Sequence, residues 1–229
     1  MIEIEICAPG IHSAENAKKG GAARIELCEN LHIGGTTPTM EDVRHCVEHL
    51  GLRTHVLIRP RGGDFCYTNS EFAQIIDDIF RCKDAGAQCV VVGVLTDNGL
   101  VDVKRTTAAV KAAHGMEVTF HRAFDRVADP HRALEEIIDC GCQRVLTSGC
   151  QPTAVEGIRA LQKLVEQAGN RIKIMAGSGV TPQNANLIIG QTGVAEIHAS
   201  CKQADSKGIV MTNTDIVRLL FSMCSKTIA

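Results

Sequence analysis

The sequence predicts a single-domain (β/α)8 TIM barrel of the α/β class, spanning residues 1–229. Three observations carry this. First, one unit recurs: a helical segment, a glycine, then a short β-rich run, as in "KKGGAARIELC", "HLGLRTHVLIRP", "DAGAQCVVVGVL", "AAHGMEVTFHR", "DCGCQRVLTSG", "QAGNRIKIMAG" and "QTGVAEIHAS". Glycine just after a helix takes the left-handed C′ conformation cheaply. Second, with the opening "IEIEIC" these runs make eight strands in strict alternation with helices, which implies a parallel sheet. Third, the 229 residues suit one closed barrel, commonly roughly 250 residues long. A doubly wound open sheet is the alternative.

The elements follow in order. "TNTDIVRLLFSMC" supplies the eighth helix. Asp129-Pro130, Thr181-Pro182, and Thr39 with Asp42 mark helix starts. Strand side chains alternate faces, and the outward face must be apolar to meet the helices. Ile2, Ile4 and Ile6 therefore point outward in strand 1, leaving Glu3, Glu5 and Cys7 inside. The same parity puts Arg24, Glu26 and Cys28 inside from strand 2, and His55, Leu57 and Arg59 from strand 3. Strand 5 contributes Glu117, Thr119 and His121, strand 7 Lys173, Met175 and Gly177, and strand 8 Glu196, His198 and Ser200. The bottom layer mixes Glu3, Arg24, Glu117, Lys173 and Glu196, which can pair as a structural plug.

The upper layers carry the chemistry. Glu5, Glu26, Arg59, His121 and His198 lie towards the C-terminal strand ends, where barrel active sites sit. The loop "RPRGGDF" adds Arg61 and Asp64. Its arginines either clamp an anionic ligand or pair internally with Glu5, Glu26 and Asp64; both readings stay open. Gly177, Ser178 and Gly179 after strand 7 form a turn whose N–H groups suit an anion. In an enzyme reading, Glu26 and His121 do acid–base work on a small phosphorylated or carboxylated metabolite, in an isomerase, epimerase or lyase reaction. A divalent metal held by Glu and His belongs to that reading. Lys173 and Lys202 are poorly placed for Schiff-base chemistry, and no G-x-S-x-G elbow exists.

A net charge of −2 gives no reason to bind nucleic acid or anionic membrane, and no apolar run approaches the roughly 18 residues of a span. The N-terminus carries no secretion signal. Eleven scattered cysteines without C-x-x-C point to free thiols in a reducing cytoplasm. Most read as small core residues, including the "CGC" at Cys140 and Cys142. Cys7 and Cys28 differ: they face inward at the ends of adjacent strands, close enough for two thiolates to share one soft ion such as Cu(I).

"EIC", "GGAARIELCENLHIGGTTPT", "IRPRGGDFCYT", "VTFHRAFD", "RVLTSG", "MAGSGV" and "EIHAS" occur in this order. Together they resemble the copper homeostasis protein CutC family, over about residues 3–201. The resemblance implies a cytoplasmic barrel concerned with copper, Cu(I) as ligand, and a homo-oligomer, often a dimer. It also implies copper ligation at Cys7 and Cys28, which match the family's proposed ligand positions. The segment after Ser200 is shorter than in many members, which puts a lid or oligomer contact made there in question.

Overall fold

The computed structural model describes residues 2–204, 208 and 210–225. Eight strands close a parallel barrel in sequence order: β1 (Glu3–Pro9), β2 (Arg24–Cys28), β3 (Arg53–Leu57), β4 (Cys89–Val92), β5 (Glu117–Phe120), β6 (Arg144–Thr147), β7 (Lys173–Ala176) and β8 (Glu196–Ala199). The helices are α1 (Ile11–Lys19), α2 (Met40–Arg44), α3 (Asn69–Asp84), α4 (Val103–Ala112), α5 (Pro130–Asp139), α6 (Ile158–Ala168), α7 (Ala185–Thr192) and α8 (Thr214–Ser225). A π turn (His45–His49) continues α2.

Local chemistry fixes several boundaries. Thr39 caps α2 by accepting the Asp42 N–H, and Asp129 accepts the His131 and Arg132 N–H groups ahead of Pro130. The start of α7 departs from expectation. Thr181-Pro182 opens a turn, not the helix, because Asn184 accepts the Thr181 N–H and donates to the Gly179 carbonyl before α7 begins at Ala185.

Outward residues such as Ile6, Leu27, Val56, Phe120 and Ile197 are buried against the helix layer. The inward parity holds as well. At the floor, Arg24 Nη1 donates to Glu3 at 2.8 Å and Nη2 to Glu196 at 2.6 Å. Lys173 lies 3.0 Å from Glu196, completing the expected plug. Arg144 is an unforeseen member, reaching Glu196 at 2.6 Å and Glu117 at 3.0 Å. Its position on β6 matches that of Arg24 on β2, as "GGAARIELC" and "GCQRVLTSG" compared would have suggested.

The short segment after Ser200 forms an antiparallel hairpin of β9 (Lys202–Ala204) and β10 (Val210–Thr212). Residues 205–207 and 209 of that segment lie outside the described residues. The hairpin returns to β1, where the Thr212 hydroxyl donates to the Cys7 carbonyl at 3.1 Å. No helix among the described residues is long and apolar enough to cross a membrane.

Candidate functional site

A cavity of about 720 Å3 opens at the C-terminal end of the barrel. Cys7, Glu26, Cys28, Arg59, His121 and His198 all line it, so the register brings six predicted residues together. Gly179 lines it too, beside Ser178 and Val180. Glu5 lies just beneath, fully buried. Gly177 stands outside the lining: its N–H donates to the Thr147 carbonyl, and a Cβ there would strike Leu146.

Arg61 and Asp64 also stand outside the lining. Arg61 Nε donates to Glu71 at 2.6 Å and Nη2 to Asp64 at 3.0 Å, while Asp64 accepts the Cys66 N–H. These two residues fasten the loop to the start of α3. Of the two readings left open for this loop, Arg61 takes the internal pairing with Asp64, and α3 supplies Glu71 as a second counter-charge.

The thiols form the cavity floor. Staggered pairing sets Cys7 opposite Glu26 and Pro9 opposite Cys28, yet the two sulfurs are 3.9 Å apart. Both residues are buried. The contact with Cys28, together with burial, lifts the Cys7 thiol well above its ordinary value. Single ligand atoms of Cys7, Glu26 and His198 lie within 4.8 Å of one another. Cys7 thus belongs to two donor sets, a soft thiol pair and a mixed thiol–imidazole–carboxylate triad.

Beneath the thiols runs a charged network. Glu5 hydrogen-bonds His198 Nδ1 at 2.9 Å and lies 2.6 Å from His55 and 3.1 Å from Arg24. Burial pushes its carboxyl up, but His55, His198 and Arg24 outweigh that and hold it well below the usual range. Burial raises Glu26, against the pull of His198 3.4 Å away. Burial disfavours charge on His198, but Glu26, Cys7 and Glu5 prevail and lift it well above its ordinary value. His55 is likewise disfavoured by burial, then raised to about 9 by Cys89 and Glu5. Cys89, expected as a plain core residue, turns inward and contacts Thr119 at 3.4 Å. Cys140 and Cys142 are buried as expected.

On the other wall, Arg59 does not pair with Glu5, Glu26 or Asp64. Its Nη1 donates to the Ile33 and Gly35 carbonyls, and its Nη2 to the Gly63 carbonyl. Gly34, at φ +91, permits this approach; a Cβ there would sit 2.8 Å from Nη1. Phe65 lies under the guanidinium at 4.8 Å and beside the His121 ring at 4.9 Å. His121 Nδ1 accepts the Ala123 N–H at 3.1 Å, so the hydrogen of the neutral ring resides on Nε2. Gly93 makes room for that ring, 2.4 Å from where a Cβ would be. Burial and Arg59 push His121 down to about 3. In the neutral ring that burial favours, Nε2–H is a hydrogen-bond donor facing the cavity. Sequence reasoning missed Phe65, the platform shared by Arg59 and His121; its place within "RPRGGDF" was the available signal.

These features define a TIM barrel with soft donors on the floor of its mouth and a cationic, aromatic wall above them. A family model described as the CutC family matches residues 2–203. A CutC family protein of Pasteurella multocida is 44% identical over 201 residues, covering 88% of this chain and 82% of its own length. The copper homeostasis protein cutC homolog of Homo sapiens is 40% identical over 223 residues, covering 97% of this chain and 82% of its own. A crystal structure of CutC from Streptococcus agalactiae superposes with a TM-score of 0.83 at 34% identity, covering 87% of this chain and 99% of that one. The chain belongs to the CutC family.

Proposed function

We propose that this protein is a cytoplasmic copper-homeostasis barrel that takes up Cu(I) through Cys7 and Cys28. The observation that carries the reading is the pair of buried sulfurs 3.9 Å apart on adjacent strands. Metal–sulfur bonds of about 2.3 Å, the zinc–thiolate length, would span about 4.6 Å in a straight line. Sulfurs 3.9 Å apart are thus close enough for Cys7 and Cys28 to hold one ion together without rearrangement of the strands. Two thiolates favour a soft monovalent ion over a hard divalent one. Metal must displace the thiol protons, as at other cysteine sites. Eleven free cysteines suit a reducing compartment. The family resemblance supports a homodimer, which light scattering on the purified chain checks.

Anaerobic titration of Cu(I) against a competing chelator tests the assignment. One ion per chain is expected, with affinity falling at least tenfold in Cys7→Ser and in Cys28→Ser. Unchanged affinity in both variants would sink the thiol assignment. The triad of Cys7, Glu26 and His198 favours a second reading, a divalent ion such as Zn(II). That ion would be lost in Cys7→Ser and Glu26→Gln but retained in Cys28→Ser.

A further inference from the structure

Copper uptake gives no use to the wall opposite the thiols. Arg59 is 4% exposed, yet no carboxylate among the described residues lies within ion-pair distance. Three carbonyls satisfy its Nη atoms with dipoles, not charge, and its Nε has no hydrogen-bond acceptor. Burial raises the neighbouring Tyr67 hydroxyl against the pull of Arg59, so it offers Arg59 a dipole and not a charge. A buried charge without an opposite partner is costly to maintain. His121, 5% exposed, likewise presents an Nε2 with no partner. Unsatisfied buried donors of this kind need an explanation, and both residues line the same cavity.

We propose that the barrel mouth binds a small metabolite through its oxyanion, a carboxylate or a phosphate, held against the Arg59 guanidinium and the His121 Nε2–H beside Phe65. The anion supplies the charge that Arg59 lacks and accepts the hydrogen that His121 offers. Cavity carboxylate Glu26 does not compete, because it is engaged by His198. The about 720 Å3 of space suits a small organic molecule. The backbone N–H groups of Ser178, Gly179 and Val180 find no acceptor among the described residues, and line the cavity too. They are available to polar groups on the rest of the ligand, as is Arg122 at the rim, 43% exposed and paired with Asp125. This site is independent of the thiols and stands whether or not copper binds them.

The test uses the intact chain with inorganic phosphate, glycerol 3-phosphate and malonate at matched ionic strength, read by isothermal titration. Long-range 1H–15N correlation follows the His121 imidazole nitrogens in the wild type. At least one probe is expected to bind and to shift the Nε2 resonance. Affinity should fall tenfold or more in His121→Phe and stay at the wild-type value in Arg132→Ala, which removes an exposed guanidinium of α5 outside the cavity lining. Binding of the two phosphates alone identifies a phosphate ligand; binding of malonate alone identifies a carboxylate. The proposal is overturned if no probe binds at 10 mM, a ceiling of roughly the weakest useful affinity. It is also overturned if binding leaves Nε2 unshifted, a readout that needs no variant to fold.

Discussion

At Glu5 a single carboxylate faces Arg24, His55 and His198 at once, fully buried. Replacing it strips a counter-charge from the fully buried Arg24 and His55, and from His198 at the cavity floor. Glu5→Gln should therefore lower the unfolding free energy by roughly 3–5 kcal/mol, the cost of breaking a buried pair. Glu3, with its side chain 38% exposed, meets Arg24 nearer the solvent. Glu3→Gln should cost about 1 kcal/mol or less. Urea denaturation separates the two, and equal losses would mean that burial does not set the strength of this network. Which residues point inward was legible at Glu5, Arg24 and Arg59, because alternation fixes the facing. Which partner each meets was not. Arg59 faces a cavity beside two carboxylates yet takes carbonyls from the loop after β2, since Glu5 and Glu26 are held by the histidines.

The elements were more legible than the contacts between them. Glycine-punctuated repeats located seven of the barrel strands, since each helix must end before a strand can turn back, and the opening "IEIEIC" gave the eighth. β6 escaped full reading because Val145 and Leu146 are apolar on both faces, so Arg144 was not assigned to the interior. The loop after β3 shows how an element rewrites a site. Thr68 caps α3 in a complete capping box with Glu71, and the same Glu71 takes Arg61. Thr68→Ala should cost about 1 kcal/mol of stability in a thermal melt, the usual worth of such a cap. It should leave Cu(I) uptake unchanged, because α3 lies outside the cavity lining. A copper defect in that variant would show that this loop reaches the thiols after all.

Across the whole molecule, histidines with opposite shifts set the response to pH. His55, raised to about 9, contributes stability in full below about pH 6.5 and loses it as pH climbs towards 9. His121, depressed to about 3, contributes in full above about pH 6.5 and loses it as pH falls. Glu196 adds a further loss below about pH 4.5, because burial is outweighed by Arg144 and Arg24, which hold it down to about 2. Stability should therefore peak near pH 6.5, and His121→Phe should flatten the limb between there and about pH 4.5. Melting midpoints from pH 4 to 9.5 check this; a maximum that stays put with an unchanged acid limb in the variant would contradict it. The ion-paired floor has a last consequence. Arg24, Arg144 and Glu196 close the barrel below the sulfurs, so that among the described residues the cavity has its doorway at the other end. Anything held at the thiols reaches solvent past the Arg59, Phe65 and His121 wall. An anion lodged beside Phe65 would stand in that doorway, above the sulfurs.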